Sequence, residues 1–273
     1  MNDPIDLFRL AIAAAGLAPP TEIMGDSAIH RFSSSGKPTD KNGWYMLHTD
    51  GIAAGAFGDW REGLTHNWCS KTDTSMTEAE RFAHRARIKA MQRQRADDLT
   101  LRQQLAAAEA LKRWMAAKPY AHHAYLTRKG IQPHGAKMEG DKLLMALRDT
   151  EGMVHSLQTI APDGSKMFMS GGRVTGCYFG IGKPEGVLIV CEGFATGASI
   201  HECTGHAVAV AFNAGNLDAV AVALRNKYPT HQIVIAADND LQTPGNPGIA
   251  KATAAAQSAG AALAVPVFKA AAG

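Results

Sequence analysis

The stretch VLIVCEGFATGASIHECTG, residues 187–205, decides the fold. It begins with five consecutive apolar residues, continues with residues that favour a helix and ends in a glycine. The same order returns twice, because the largely apolar stretches 207–212 and 232–237 each precede another segment that favours a helix. Nearly continuous apolar strands that alternate with helices are typical of a parallel sheet covered on both faces. The sequence therefore predicts an α/β fold with a parallel sheet in the C-terminal part of the chain.

Acidic side chains follow two of these predicted strands. Glu192 follows the first strand, and Asp238 and Asp240 follow the third. Because ligands of an open parallel sheet bind beyond the carboxyl ends of its strands, we expect the three carboxylates to lie together. Carboxylates that close repel one another, and a hard cation such as Mg²⁺ relieves the repulsion by taking their oxygens as ligands. The alternative is that these acids only form turns or helix caps.

Length and composition exclude several classes of protein. The chain has 273 residues, of which 46% are hydrophobic, and a formal net charge of +3. This apolar content supports a core and excludes a disordered chain, and no apolar run approaches the roughly 18 residues that span a membrane. The first residues do not resemble a secretory leader, and the four cysteines form no Cys-x-x-Cys pair. We therefore expect a cytoplasmic protein without a disulfide framework or a cysteine-rich zinc finger.

Differences in local composition and pattern divide the chain into four predicted parts. An N-terminal region of short aromatic and glycine-rich stretches is typical of β-hairpins. A helical connector starts with the capping-box pattern of Thr77 and Glu80 and stops before Pro119, and the alternative is a helix broken at residues 97–98. A second β-rich subdomain then leads to the α/β domain. The predicted boundaries are 1–76, 77–118, 119–185 and 186–273.

The predicted connector carries an excess of positive charge. Between residues 77 and 130 there are 12 Lys or Arg against 5 Asp or Glu, a balance of +7. Such asymmetry predicts a polyanionic partner, and the alternative is a solvated helix face. The candidate DNA contacts are Arg85, Lys89, Arg93 and Arg95.

The motifs around the three carboxylates resemble a Toprim domain. They are VLIVCEGFATGASI at 187–200, AFNAGNL at 211–217 and IVIAADND at 233–240. Upstream segments are similar to the region that precedes this domain in the primases of conjugative plasmids, prophages and other mobile elements. These segments are 125–131, 147–160 and 163–173. By this resemblance the chain is identified as a Toprim-domain DNA primase of the mobile-element type.

The resemblance implies a function in replication or transfer of a mobile element. A primase makes short RNA primers on a single-stranded DNA template by metal-dependent nucleotidyl transfer. Glu192, Asp238 and Asp240 would hold one or two Mg²⁺ or Mn²⁺ ions that activate the attacking 3′-hydroxyl and stabilise the leaving pyrophosphate. The alternative is that Glu192 is a general base. The implied partners are single-stranded DNA, NTPs and a replicative helicase acting in cis or in trans.

Basic side chains upstream of the carboxylates are candidates for binding the triphosphate or the template phosphates. Lys166 and Arg173 flank a Gly-Gly pair, and Arg128 and Lys129 lie in another segment that carries the resemblance. Cationic side chains of this kind hold nucleic acid through its phosphates. The alternative is that they are ordinary surface cations.

Two tryptophans of the N-terminal region, Trp44 and Trp60, are candidates for stacking on single-stranded bases. They belong to a segment dense in aromatic residues, and the alternative is that these aromatics form the core of a small β domain. In the α/β domain, Gly193 leaves room for a phosphate beside the first carboxylate. Asn213 and Asn216 are expected to cap the helix that follows them.

Two other functions stay open from the sequence. A Toprim-type nuclease uses a similar set of carboxylates to break phosphodiesters, although the β-rich segment before the domain resembles primases. A non-catalytic, single-stranded-DNA-binding replication accessory would bind DNA without needing the carboxylates. Formation of short oligonucleotides from labelled NTPs on a single-stranded template distinguishes these three functions.

Overall fold

The computed structural model describes residues 3–60, 62–71, 77–119, 122–239, 243 and 246–266. The chain divides into two compact units, residues 1–95 and residues 96–273. The mixed α/β architecture confirms the predicted fold class. Within the described ranges, no helix has the length and the apolar character required to cross a membrane.

The first unit combines one helix with a four-stranded antiparallel sheet. Helix α1 spans Pro4–Ala14, and the carboxylate of Asp3 caps it by accepting a hydrogen bond from the Ile5 N–H at 3.0 Å. The fully buried Phe8 packs edge-on against Phe57 in the core of this unit. The predicted β-rich N-terminal region is therefore confirmed. In sequence order the strands are β1 (His30–Phe32), β2 (Gly43–His48), β3 (Ala54–Asp59) and β4 (Leu64–Cys69), each paired with the next.

One long helix, α2, spans Glu78–Ala116. It is unbroken at residues 97–98, because neither glycine nor proline interrupts it and both aspartates are exposed. The alternative of a broken helix is therefore wrong. In its last turns Ala106, Ala110 and Trp114 are buried at helical spacing. The C-terminal part of α2 thus belongs to the hydrophobic core of the second unit, while the four-part division of the chain stays a prediction.

The second unit contains a five-stranded antiparallel sheet. Its central strands run through the core, and the side chains from Leu143 to Leu147 are fully buried. These strands confirm the β-rich stretch predicted before the α/β domain. Helix α3, Ala124–Lys129, ends at Gly130, which adopts a left-handed conformation with φ 65°. In sequence order the strands are β5 (Lys118–Pro119), β6 (Lys137–Glu139), β7 (Lys142–Arg148), β8 (Val154–Ile160) and β9 (Lys166–Phe168).

Trp114 joins α2 to this sheet. Lys137 on β6 donates a hydrogen bond from Nζ to the Trp114 carbonyl oxygen at 2.9 Å, and its ammonium lies 4.6 Å from a ring centroid of the indole. The guanidinium carbon of Arg148 on β7 lies 5.5 Å from a ring centroid of the same indole. Cation–π contacts of this kind add to the free energy gained by burying the ring.

A fragment that begins at Ala96 is expected to fold, whereas a fragment that begins at Lys118 is expected to be unstable. The shorter fragment lacks the buried Ala110 and Trp114. Removing a large buried aromatic costs about 3–5 kcal/mol, a substantial share of the roughly 5–15 kcal/mol that stabilises a domain. Thermal unfolding followed by circular dichroism checks this. Equal melting temperatures for the two fragments would contradict the role of α2 in the core.

The rest of the second unit is a mostly parallel sheet with the strand order β10-β12-β11-β13-β14. Its elements are β10 (Phe179–Ile181), β11 (Val187–Cys191), α4 (Phe194–Thr204), β12 (Ala207–Val210), α5 (Leu217–Lys227), β13 (Gln232–Ala236), α6 (Pro247–Ala259) and β14 (Ala262–Ala264). All strand pairs are parallel except β10 with β12. The predicted parallel sheet is confirmed. Strand β10 was not predicted, because a three-residue strand gives no run long enough to recognise.

Helix α4 approaches this sheet closely at Gly197. A Cβ at Gly197 would lie 2.8 Å from Cγ2 of Val210 and 3.0 Å from Sγ of Cys191. Both distances are too short for carbon in van der Waals contact. The absence of a side chain at this position therefore sets the distance between the helix and the sheet.

Substituting Gly197→Ala is expected to lower the free energy of unfolding by about 1–3 kcal/mol, because overpacking outweighs the better helix propensity of alanine. Urea denaturation measures the change. Ser199→Ala, at an exposed position of the same helix, is the matched control and should be neutral or slightly stabilising. A Gly197→Ala protein as stable as the control would contradict the close packing.

Candidate active site

The carboxyl edge of the parallel sheet carries two of the three predicted carboxylates. Strands β11 and β13 are neighbours, with Cys191 opposite Ala236. Glu192 directly follows β11 and Asp238 follows β13, and both side chains are half-buried. The structure thus places Glu192 and Asp238 at the ends of adjacent strands. Asp240 lies outside the described residues.

The thiol of Cys191 lies beside these two carboxylates. Burial raises its pKa, and the negative charges of Asp238 and Glu192 raise it further. The Sγ atom donates a hydrogen bond to the Gly193 carbonyl oxygen at 3.6 Å. Cys191 therefore stays protonated at neutral pH and contributes neither a thiolate nucleophile nor a soft metal ligand.

Gly193 separates Glu192 from helix α4 and occupies its N-cap position. Its φ of −101° is accessible to any residue. A Cβ at this position would meet only Oγ1 of Thr196, at 3.6 Å, which is an ordinary contact. Neither conformation nor packing requires glycine here, and the approach of backbone or phosphate at this position stays a prediction. The N-terminal N–H groups of α4 would favour an anion there.

The end of β12 brings the antiparallel sheet to the same edge. The Ala211 N–H donates to the Cys191 carbonyl oxygen at 2.8 Å, so Phe212 is level with the start of the candidate site. Phe212 has a φ of 71°, a strained conformation for a bulky residue. Its ring meets Phe168 of β9 edge-on, with centroids 6.0 Å apart. Lys166, two residues before Phe168, therefore shares its face of the strand, and its side chain is exposed.

Arg128 is held near the turn that leads into β9. Its Nη1 donates to the Pro162 carbonyl oxygen at 3.2 Å, and Asp163 has a lowered pKa that owes most to its hydrogen bonds from Ser165 and less to the Arg128 charge. Lys129 is an exposed residue at the end of α3. Arg128 and Lys166 therefore flank one turn, and Lys129 lies beside them in sequence.

Arg173 forms an ion pair that the sequence did not predict. Its Nη2 lies 3.2 Å from Oδ2 of Asp149, and the same oxygen lies 2.6 Å from Nε2 of His155. Burial of the Asp149 carboxyl raises its pKa, but the hydrogen bonds from His155 and the Met153 N–H outweigh this and lower it overall. Among the described residues, the buried Nε of Arg173 meets no hydrogen-bond partner. The guanidinium thus has structural contacts with the Asp149 carboxylate and with the Cys177 thiol, whose pKa burial raises and the Arg173 charge lowers in part.

Asn216 does not cap the following helix, and the prediction for it was wrong. Its Nδ2 donates to the carbonyl oxygens of Cys177 and Ala211, both at 2.9 Å, and its Oδ1 accepts from the Gly176 N–H at 2.8 Å. A buried amide must satisfy its donors and acceptor, and three backbone groups do so here. Asn213 likewise makes no capping hydrogen bond through its side chain. Asn216 instead ties the chain before β10 to the end of β12.

Two asparagines that the sequence analysis missed surround the segment with the third carboxylate. Asn239 donates from Nδ2 to the Pro266 carbonyl oxygen at 3.0 Å and accepts at Oδ1 from Nδ2 of Asn246 at 2.8 Å. Asn246 is left-handed, with φ 41°, and its Oδ1 caps α6 by accepting from the Ile249 N–H. The signal was present, because asparagine before proline is typical of a helix start. This link joins the chain after Asp238 to the first turn of α6.

The donor chemistry at the sheet edge suits a hard divalent cation. Glu192 and Asp238 follow adjacent strands and offer carboxylate oxygens, and the pKa of the nearby Cys191 thiol is raised by burial and by both charges. Oxygen ligands suit Mg²⁺ or Mn²⁺. Within the described part of the chain, no group of three or more His, Cys, Asp or Glu side chains could hold a metal ion. Two described carboxylates therefore fit the group without completing a ligand set.

The predicted tryptophan contacts lie together on the first unit. The rings of Trp44 and Trp60 have centroids 5.3 Å apart, and the guanidinium of Arg31 lies 5.8 Å from the Trp60 ring. Trp60 is 56% exposed, whereas Trp68 packs against the core of this unit. The aromatic residues are therefore divided between a core and an exposed, cation-bearing cluster.

Three of the four predicted basic contacts share one side of α2. Arg85, Lys89 and Arg93 follow one another at intervals of four residues, and all three are exposed. Residues four apart share a helix face. Arg95 belongs to the same helix, and its side chain lies outside the described set.

The C-terminal sheet matches a known domain family. Residues 187–272 match the family described as Toprim_3, a Toprim domain. Two curated Escherichia coli proteins, both named DNA primase TraC, are similar to 97% of the chain. The first is 34% identical over 283 residues and the second 33% identical over 284 residues. The chain spans 26% of the length of the first relative and 20% of the second.

Two solved structures are similar over part of the chain. The primase fragment of the bacteriophage T7 primase-helicase protein gives a TM-score of 0.41 at 16% identity, covering 56% of this chain and 70% of that chain. The DnaG primase catalytic domain bound to ssDNA gives a TM-score of 0.34 at 14% identity, covering 59% and 60%. The resemblance expected from the sequence is confirmed by the family and by the curated relatives.

Proposed function

We propose that this chain, whose residues 187–272 form a Toprim domain, acts as a DNA primase that joins ribonucleotides on a single-stranded DNA template. One observation carries the proposal. Glu192 and Asp238 stand at the carboxyl ends of adjacent parallel strands of that domain. The similarity to DNA primase TraC along 97% of the chain supports it.

The proposed reaction is a nucleotidyl transfer. A 3′-hydroxyl oxygen attacks the α-phosphorus of an NTP, the bond from that phosphorus to the bridging oxygen breaks, and pyrophosphate leaves. Glu192, Asp238 and Asp240 would hold one or two Mg²⁺ or Mn²⁺ ions, which when bound lower the pKa of the hydroxyl and neutralise the leaving charge. Glu192 as a general base for the hydroxyl proton is the alternative.

Four basic side chains are proposed to hold phosphates around this edge. Lys166 shares the strand face of Phe168, which contacts the end of β12, and is the candidate for the triphosphate. Arg128 and Lys129 would extend the same positive surface. Arg173 would bind a template phosphate, which would compete with its ion pair to Asp149.

The template is proposed to bind along the first unit. The exposed face of Arg85, Lys89 and Arg93, together with Arg95 of the same helix, would neutralise the DNA backbone, and Trp44 and Trp60 would stack on unpaired bases. A replicative helicase in cis or in trans remains the proposed protein partner. The cytoplasm, where template and NTPs meet, is the proposed place of action.

Primer synthesis is the direct test. The protein is incubated with single-stranded DNA, labelled NTPs and Mg²⁺ or Mn²⁺, and short RNA products are expected. Shortened DNA without RNA products would indicate a nuclease instead. DNA binding without products under any of these conditions would indicate a replication accessory.

A further inference from the structure

Helix α2 exposes a second apolar face within the second unit. Its buried side, marked by Ala110 and Trp114, packs into the core. On the other side four large apolar side chains are left in contact with solvent. They are Leu101 (57% exposed), Leu105 (66%), Leu111 (47%) and Met115 (71%). A contiguous exposed apolar surface of this kind is typical of a protein–protein contact.

These four residues are arranged symmetrically about Ala108, which is also exposed. Relative to Ala108 they occupy positions −7, −3, +3 and +7. At about 100° per residue, all of them fall within about 60° of the direction of Ala108. We call these five residues the apolar stripe. The intervals between its residues are the same in both directions along the helix from Ala108. Two copies that lie antiparallel therefore bring apolar residues to the same level at every position of the stripe.

We propose that the apolar stripe binds a second copy of this chain, with the two α2 helices antiparallel and a two-fold axis at Ala108. Leu105 would then be level with Leu111 of the second copy, and Leu101 with its Met115. The small side chain of Ala108 lets the two helices approach closely at the axis. A two-fold contact of this type uses the same surface on both subunits.

Charges around the apolar stripe favour the antiparallel direction. Within the span 101–115, Lys112 is the charged side chain nearest to the stripe, about 40° from Ala108, and the antiparallel pair places it level with the neutral Gln104. A parallel pair would place Lys112 level with Lys112, which is repulsive. The antiparallel pair also brings the acidic residues 97–98 of one copy to the level of Lys118 of the other. A single lysine is too little positive charge for the stripe to be a DNA surface.

Sedimentation velocity on the full chain, free of DNA, tests the contact. A concentration-dependent dimer is expected between about 1 and 100 µM, since one helix pair is a small interface. Leu105→Glu should raise the dissociation constant at least about 100-fold, because each copy loses a buried leucine and would bury a carboxylate. Leu99→Glu is the matched control, because Leu99 is 52% exposed on the opposite side of the same helix. Thermal melting shows that both variants stay folded.

Cysteine cross-linking tests the axis itself. In a Cys203→Ser background, which removes the exposed native thiol, Ala108→Cys should form a disulfide-linked dimer under mild oxidation. The reach of a disulfide is about 4.4–6.8 Å between Cα atoms. Gln104→Cys should not cross-link, because its two copies would stand about 12 Å apart along the helices.

The outcomes separate the proposal from its alternatives. Loss of the dimer in Leu105→Glu, retention in Leu99→Glu and cross-linking at Ala108→Cys support it together. A monomer at every concentration overturns it, and so does a dimer that Leu105→Glu leaves intact. Cross-linking through Gln104→Cys in place of Ala108→Cys overturns the axis. None of these results depends on primase activity.

Discussion

Substituting Asp238→Ala is expected to reduce primer synthesis at least about 100-fold, since loss of a supporting group beyond the ligands already costs about 10–100-fold at metal sites. Asp240→Ala and Glu192→Gln should behave alike. The variants should stay folded, because Glu192 and Asp238 follow their strands and lie outside the buried core. Initial rates of RNA product formation and urea denaturation measure the two effects.

Glu185→Ala provides the matched control for this result. Glu185 is an exposed acid of the same region, just before β11 and thus at the opposite edge of the sheet. Its loss should leave primer synthesis unchanged, and all variants should bind the DNA template as the parent chain does. If Asp238→Ala and Asp240→Ala both kept more than about a tenth of the activity, these residues would not be essential metal ligands.

Replacing the four candidate DNA contacts of α2 with glutamine is expected to weaken single-stranded DNA binding and to flatten its salt dependence. Each phosphate contact contributes about 0.7 to the slope of log affinity against log salt for single strands. Four contacts would therefore lower the slope by up to about 2.8. Fluorescence anisotropy with labelled oligonucleotides over a range of salt measures it. The substituted residues are Arg85, Lys89, Arg93 and Arg95.

A second variant distinguishes a binding face from a general charge effect. It removes three exposed lysines from the second unit, Lys142, Lys183 and Lys251. A DNA path along α2 predicts a nearly unchanged slope for this control. An unchanged slope in the α2 variant itself would mean that the excess charge is only a solvated helix face.

Much of the candidate site followed from local sequence. The apolar run Val187–Cys191 forms a strand with the same first and last residues, because five apolar side chains suit a strand buried on both faces. The segment after 207–212, which the sequence predicts to favour a helix, contains helix α5. When strands and helices alternate in this way, the strands are parallel and their carboxyl ends lie at the same edge of the sheet. The positions of Glu192 and Asp238 at that edge were therefore predictable without knowing the strand order.

Other features depended on contacts between residues distant in the sequence. Asn216 looked like a cap, yet burial requires its amide to bond three backbone groups, which come from two separate segments. The pairing of Arg173 with Asp149 joins residues on opposite sides of β8 in the chain. No local sequence pattern predicts such partners, because an isolated Asn, Arg or Asp side chain is as well hydrated in solvent as it is bonded in a protein contact.

The sequence by itself determined the α/β alternation, the long helix and the edge at which the carboxylates meet, since these follow from apolar periodicity and from the geometry of parallel sheets. Only the tertiary structure decided which side of α2 is buried, because alanine-rich helices carry apolar residues on more than one face. It placed Ala110 and Trp114 in the core and left Leu105 in solvent. The reason for glycine at position 197 is likewise visible only in the tertiary structure, because the atoms that a Cβ there would meet belong to Val210 and Cys191 on two different strands.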